Sequence, residues 1–375
     1  MIKKVLMISD NDITSNRSLG VTKKLLGQYK AFNNLGLDTY HLCFKNEQGV
    51  LIHKEETKVL VKKHKKLYFT YIKLLSLAHK VCIENNIDLC YIRYPLADFA
   101  FMGMIKKLHK ICKVVIEIPT YPYDYDLSKE ANFLTKLNAF QDKINRDKVK
   151  NYIDFFTNFY EYSSIFGAKA LAIDNAIDVS AVKYSGEKKG SLNDINIIGV
   201  ALIVNIHGYD RIIEGLKNYY AMPTNKKNVN FYIVGDGPEV PHLKSLVNDY
   251  QLTNHVFFTG IKKGEELDEL FEISNIAVAS LAAHRRGGKT TSELKVKEYC
   301  ARGIPFIATS TDRTLPENSN FVKVFPADES PIDICKVIDF AESCNGEPNL
   351  SKDMRKFAEE NLTWEKQLKK VIDAI

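Results

Sequence analysis

The run Gly287-Gly288-Lys289-Thr290-Thr291-Ser292-Glu293-Leu294-Lys295-Val296-Lys297-Glu298-Tyr299-Cys300-Ala301-Arg302-Gly303-Ile304-Pro305 has the clearest potential for chemistry. A glycine-containing loop leads into a helix that the pattern starts near Ser292, and a Gly-x-Pro turn leads out into a buried strand. Unpaired N–H groups in the first helical turn, with the positive end of the helix dipole, make an anion site that suits a diphosphate. Lys295, at the third helical position, adds a formal charge there. Glu298, one turn on, is placed to accept hydrogen bonds from sugar or ribose hydroxyls. The spacing equally permits an i, i+3 surface ion pair between Lys295 and Glu298.

Short runs rich in Val, Ile, Tyr and Phe alternate with amphipathic helix-length stretches from end to end, the pattern of parallel sheets covered by helices on both faces. The class is α/β. Expected strands in the first half are 4–9, 38–44, 89–93, 114–118, 155–158 and 171–173. A second set follows at 195–200, 230–234, 256–259, 276–280, 305–308 and 321–325. The polar stretch 183–191 between them reads as a linker. This gives an N-terminal domain over 1–182, a second domain over 183–350, and a helical tail over 351–375, anchored by Trp364 and packing back on the first domain. Two parallel-sheet domains joined once are expected to bind ligands at the carboxyl ends of their strands, in a cleft between them.

The length of 375 residues fits two domains, and 45% hydrophobic with 26% charged residues describes a folded chain. The amino terminus reads as a strand, with an apolar stretch too short for a signal peptide, and a cytoplasmic protein is expected. Seven cysteines, at 43, 82, 90, 112, 300, 335 and 344, are odd in number and include no C-x-x-C pair. Neither a disulfide framework nor a zinc knuckle is indicated, and reduced, mostly buried thiols are expected. The net charge of +6 is unevenly spread. Lysines 54, 58, 62, 63, 65, 66, 73 and 80 cluster in one segment; Lys106, Lys107, Lys110 and Lys113 follow on one expected helix, and Lys143, Arg146, Lys148 and Lys150 on another. Each cluster alone reads as a solvated helix face. Together, interleaved with Tyr68, Phe69, Tyr71, Leu74 and Phe101, they point to an anionic partner, a membrane leaflet or phospholipid-linked substrate rather than nucleic acid.

Glu298 through Pro305 resembles the E-A-x-A-x-G-x-P signature of retaining glycosyltransferases with the GT-B fold, particularly family 4 members of capsule and exopolysaccharide synthesis. Ile233-Val234-Gly235-Asp236-Gly237-Pro238 is similar to that family's strand and G-x-G-P loop, and Val256 to Gly260 to its base-contacting strand. Ile276 to Leu281 is similar to the strand before the signature, Asn175 to Val179 to the turn closing the first domain, and Leu362 to Glu365 to its tryptophan motif. Two departures stand out. Thr290 occupies the first glutamate position of the E-x7-E pair, although Ser292, Leu294, Lys295, Glu298 and Tyr299 match a Ser-x-Leu-Lys-x-x-Glu-Tyr variant. Leu202 and His207 stand where the family has Arg and Lys.

The resemblance implies a metal-independent, retaining glycosyltransferase on two Rossmann-like domains. It would take a nucleotide-diphosphate sugar, uridine favoured, as substrate, need no cofactor, and act at the inner membrane face on a lipid-linked glycan. The implied donor side comprises Gly235, Gly237, Pro238, Phe258, Gly260, Ser292, Leu294, Lys295 and Glu298, with Arg285, His207 and Arg211 nominated to meet phosphate charge; Lys295 and Glu298 carry the catalytic expectation. On the acceptor side stand Gly20, in a glycine-bearing loop from Ser18, Arg93, and the Pro119-Thr120-Tyr121 loop. A sugar-nucleotide-binding protein without activity and an epimerase on the same fold are the alternatives. Asp10-Asn11-Asp12 and Asp124-Tyr125-Asp126 spell D-x-D, the manganese motif of the other major glycosyltransferase fold, but two similar sheets argue against that fold and no metal is assigned. No P-loop or G-x-S-x-G elbow appears.

Overall fold

The structure, a computed structural model, describes residues 1–15, 19–124, 133–186, 194–223, 227–286 and 292–375, with backbone only at 133–135 and 286. Ser18, Thr290, the 125–126 part of the second D-x-D and most of the expected linker lie outside the described residues. The chain divides into two compact units, 1–178 with 364–375, and 179–363.

The first unit runs β1 (Lys4–Asp12), α1 (Leu19–Asn34), β2 (Asp38–Lys45), β3 (Gln48–His53), β4 (Glu56–Val61), α2 (Leu67–Asn85), β5 (Leu89–Arg93), α3 (Phe99–Leu108), β6 (Lys113–Ile118), α4 (Phe133–Asn145), β7 (Phe155–Asn158), β8 (Ser164–Ile165) and β9 (Ala168–Ala172). Its sheet has the order β4-β3-β2-β1-β5-β6-β7-β9-β8. The run from β2 to β9 is parallel. Strand order reverses between β1 and β5, and open α/β sheets bind ligands beyond the carboxyl ends at such a point. The expected parallel strands are present. The hairpin of β3 and β4 was not expected, because its charged, exposed residues read as a helix face. They blunt a sheet edge instead, a common use of lysine and glutamate. Lys54 and Lys58 therefore sit on this hairpin, and Lys62, Lys63, Lys65 and Lys66 on the non-helical approach to α2. Arg146, Lys148 and Lys150 lie on a 3-10 helix rather than an α-helix.

The second unit runs β10 (Asp194–Val200), α5 (Tyr209–Ala221), β11 (Asn228–Val234), α6 (Val240–Asp249), β12 (Val256–Gly260), α7 (Glu265–Glu272), β13 (Ile276–Val278), α8 (Leu294–Arg302), β14 (Phe306–Ala308), β15 (Val322–Val324), α9 (Ile334–Asn345) and α10 (Leu350–Asn361). All six strands are parallel in the order β12-β11-β10-β13-β14-β15. In chain order this is 3-2-1-4-5-6, the Rossmann arrangement, with its reversal between β10 and β13.

The last helix, α11 (Trp364–Asp373), belongs to the first unit and packs on α1. Trp364 is fully buried, Asn34 donates to Glu365 at 2.6 Å, and the Gln367 amide oxygen accepts from the Asp174 N–H at 3.0 Å.

A buried charge network ties α1 to the middle of the first sheet. Glu117 on β6 is fully buried and accepts from Lys24 at 2.9 Å and Arg93 at 3.2 Å on one oxygen, and from Gln28 at 2.6 Å and Tyr91 at 2.9 Å on the other. The Lys24 ammonium also sits 3.5 Å from the Phe159 ring centroid. Burial alone would raise the Glu117 pKa, but the charges of Lys24 and Arg93 and the hydrogen bonds from Lys24 and Gln28 outweigh it and hold it below its ordinary value. Its stabilisation is present above the ordinary glutamate pKa of about 4.3 and is lost as pH falls through the lower folded value. Glu117→Ala strands two cations and should lower unfolding stability by about 3–5 kcal/mol in urea titration, whereas a loss below about 1 kcal/mol would show the network to be peripheral to the fold.

Candidate functional site

The reversal point of the second sheet collects three chain segments: the turn after β10, the turn after β13, and the start of α8. The first two are laced by backbone bonds, Leu281 N–H to His207 C=O at 3.0 Å and Ala282 N–H to Ile206 C=O at 3.0 Å. The Gly235-Asp236-Gly237-Pro238 loop joins from β11 through Ala201 N–H to Val234 C=O at 3.0 Å and Ile203 N–H to Asp236 C=O at 2.8 Å. Gly235 has φ +129°, and a Cβ there would fall 1.9 Å from the Ala201 carbonyl oxygen. The glycines of this loop thus serve its close packing on the neighbouring turn.

Helix α8 starts at Leu294, two residues later than expected, with Glu293 as its extended N-cap. Lys295 is therefore the second helical residue and lies close to the free N–H groups of the first turn. Its Nζ is shielded from solvent and, among the described residues, has no hydrogen-bond partner. Burial pulls this ammonium down to about 8, with the Glu293 carboxylate opposing the shift. Glu293 itself accepts from Ser280 Oγ at 2.8 Å and from the Ser280 N–H at 3.2 Å. The Tyr209 hydroxyl, also buried and without a hydrogen-bond partner, lies within electrostatic reach of the same carboxylate.

Below this layer the helix is fixed by a buried pair that the spacing did not single out. Lys297, fully buried, donates to Asp312 at 2.5 Å and to Ser292 Oγ at 3.0 Å, while Asp312 also accepts the Glu293 N–H at 3.0 Å. The signal was present: Lys297 falls on the same helical face as Cys300 and Ala301, where a charge requires a buried partner. Tyr299 reaches back to the Val278 carbonyl at 2.8 Å and locks α8 to β13.

Several nominated residues are otherwise engaged. Arg285 is held by Asp210, at 2.6 Å, by Glu329 and by the Asn205 carbonyl at 2.8 Å, so its guanidinium is spent inside the fold. Arg211 is buried and clamps the Ser330 and Pro326 carbonyls, at 2.7 and 2.9 Å, and that of Leu281. His207 caps its own turn, Nδ1 accepting from the Val204 N–H at 3.2 Å. Glu298 pairs not with Lys295 but with Arg302, at 2.9 Å, which in turn holds Asp268 at 2.7 Å. Phe258 is half-buried on β12 under the Lys244 ammonium, and the Gly260 carbonyl accepts the Gly235 N–H at 2.8 Å.

In the first unit, Gly20 is exposed in the first turn of α1, and Arg93 neutralises Glu117 at the reversal point. Pro119 and Thr120 are half-buried beyond the end of β6. The Tyr121 ring packs edge-on against Tyr162 and Phe166, with centroids 4.9 and 5.5 Å away. Asp12 of the first D-x-D accepts from Thr14 and the Glu47 N–H, which makes it a loop cap.

Residues 194–336, most of the second unit, match the sequence profile of the family described as "Glycosyl transferases group 1". No curated protein matches the chain. Among solved structures, it resembles sucrose-phosphate synthase from Thermosynechococcus elongatus at 14% identity, over 99% of this chain and 98% of that one, with a TM-score of 0.67. WaaG, a glycosyltransferase involved in lipopolysaccharide biosynthesis, matches at 12% identity over 99% of each chain with a TM-score of 0.61. HepE from Anabaena, solved with UDP-glucose, matches at 12% identity over 99% of this chain and all of that one, with a TM-score of 0.56. The fold is thus that of the GT-B glycosyltransferases, and the second unit bears the group 1 sequence pattern.

A lysine whose folded pKa lies below its unfolded value costs stability while the folded chain must charge it. That cost is full below pH 8 and vanishes as pH rises to the ordinary lysine value near ~10.4. Unfolding stability of the ligand-free chain should therefore climb across this window, with Lys295 contributing at most roughly 3 kcal/mol. Lys24, likewise drawn down to about 8 by burial, contributes to the same climb. Urea titrations at both ends of the window should show that Lys295→Met removes the Lys295 share alone; an unchanged climb would place this ammonium in solvent.

Proposed function

We propose that this chain transfers a sugar from a nucleotide-diphosphate sugar, a UDP-sugar in first place, to a lipid-linked glycan in cell-surface polysaccharide synthesis, retaining the anomeric configuration without a metal. The observation that carries the reading is the Lys295 ammonium: shielded from solvent, without a hydrogen-bond partner among the described residues, and seated in the first turn of a helix at the reversal point of a Rossmann sheet. A diphosphate there gains a counter-charge and the free amides of α8 together. As the bond from the anomeric carbon to the β-phosphate oxygen breaks, charge grows on the diphosphate, and preorganised donors stabilise it more than they stabilise the bound sugar nucleotide. The acceptor oxygen forms the new bond, and its proton passes to the departing phosphate. Glu298, positioned by Arg302, takes a sugar or ribose hydroxyl.

The base and acceptor follow from weaker support: the UDP-glucose bound by HepE, the lipopolysaccharide role of WaaG, and one surface of the first unit. Lys62, Lys63, Lys65 and Lys66 are all exposed and run directly into exposed Leu67, Tyr68 and Phe69. Cations next to protruding aromatics suit an anionic leaflet. No helix among the described residues is long and apolar enough to cross a membrane.

In a transfer assay screened over UDP-, GDP- and ADP-sugars, Lys295→Ala should cut kcat by about 10²–10³-fold, the scale of losing one preorganised donor, with an unfolding midpoint no lower than that of the wild type. Wild-type turnover in that variant would overturn the assignment. Donor-induced stabilisation without transfer or hydrolysis would instead establish the non-catalytic binding protein, a reading that the engaged Arg285 and His207 favour. The full chain should cosediment with phosphatidylglycerol vesicles and not with phosphatidylcholine ones. Changing the four lysines to glutamine should remove roughly 1 kcal/mol of binding per residue, and equal binding to both vesicle types would exclude this surface as the contact.

A further inference from the structure

Cys82, Cys90 and Cys112 are separated in sequence but meet at the amino-terminal edge of the first sheet. Cys82 lies in the last turn of α2, Cys90 is the second residue of β5, and Cys112 stands in the connection from α3 to β6. The Cys82 and Cys90 sulfurs are 3.4 Å apart, those of Cys90 and Cys112 3.5 Å apart, and all three lie within 4.8 Å of one another. Cys82 and Cys90 are buried, whereas Cys112 is half-buried and lines a surface pocket of about 520 Å³ together with His109, Lys110, Lys113 and Tyr152.

Three apolar-core thiols would satisfy packing without converging. These converge on one point, and their spacing has a chemical meaning. A cation with metal–sulfur bonds of about 2.3 Å places tetrahedral thiolates about 3.8 Å apart, so the two edges that meet at Cys90, 3.4 and 3.5 Å long, need to open by only a few tenths of an ångström. The pocket on the Cys112 side gives an ion its way in and room for a water as a further ligand. Lys110 on the pocket wall offsets part of the negative charge of a trithiolate complex, while Lys113 is already paired with Asp154 at 2.8 Å.

We propose that Cys82, Cys90 and Cys112 form a binding site for a thiophilic cation, Zn²⁺ or Cu⁺. On binding, the thiols still protonated release their protons to solvent, and the ion forms three metal–sulfur bonds without any change in oxidation state. Soft sulfur ligands favour these two ions over Mg²⁺ or Mn²⁺. The site joins α2, β5 and the α3–β6 connection at the end of the sheet opposite Arg93. Its consequence is the stability of the first unit, not sugar chemistry.

The test uses the full chain, reduced, stripped with a chelator and kept anaerobic. Zn²⁺ and Cu⁺ are titrated separately against chromophoric chelators, and the two arms decide which ion the site prefers. One equivalent should bind, thermal unfolding should shift upward with the ion, and Cys112→Ser should weaken binding by at least about 100-fold. Cys335→Ser, away from the cluster, should bind as wild type. Because Cys90→Ala touches the core, its folding is checked by circular dichroism, and Cys112→Ser at the pocket edge carries the decision. Equal affinity in wild type and Cys112→Ser, for both ions, would overturn the site.

Discussion

An ammonium removed from water without a hydrogen-bond partner is among the most expensive arrangements a fold can hold. Among the described residues, the second unit holds one at Lys295, on a helix that several contacts fix in place. Tyr299 pins α8 to β13, and Lys297 and Asp312 fasten its underside. Ser280 restrains Glu293 beside the ammonium rather than on it. Each contact is fully satisfied, while the group they surround is not. Such an imbalance is tolerated only because the rest of the unit is well packed.

The first unit offers the contrasting case. Glu117 is as deeply buried as any charge in the molecule, yet two cations, an amide and a phenol close around it. That network is finished and needs nothing from outside. Arg93 illustrates the difference: its position at a sheet reversal point and its charge both read as a ligand-binding residue, but its partner is already inside the protein. Arg285 and Arg211 follow the same logic in the second unit. The distinction between a structural and a functional charge thus lies in what remains unpaired, not in residue type or in place along the fold.

This also explains what could be read from the sequence. Parallel strands announce themselves through unbroken apolar runs, so both sheets and the chain's α/β class were legible, as was a helix beginning close to Ser292. The β3–β4 hairpin escaped because edge strands carry charge for reasons unrelated to a core. The fates of Arg285 and Arg211 were hidden because their partners, Asp210 and the Ser330 carbonyl, are set by tertiary packing, whereas the Glu298–Arg302 pair follows an i, i+4 spacing that the sequence displays. The meeting of Cys82, Cys90 and Cys112 was invisible for a related reason: no local spacing encodes the convergence of a helix end, a strand start and a loop.

The assignment of the final helix to the first unit bears on how the molecule is made. Trp364 and its neighbours leave the ribosome after every residue of the second unit, so the α1 surface that they cover must wait, bare, through the synthesis of nearly half the chain. The amino-terminal unit is therefore the last to be completed. A nascent chain halted at Thr363 would carry every residue of the second unit and an incomplete first one.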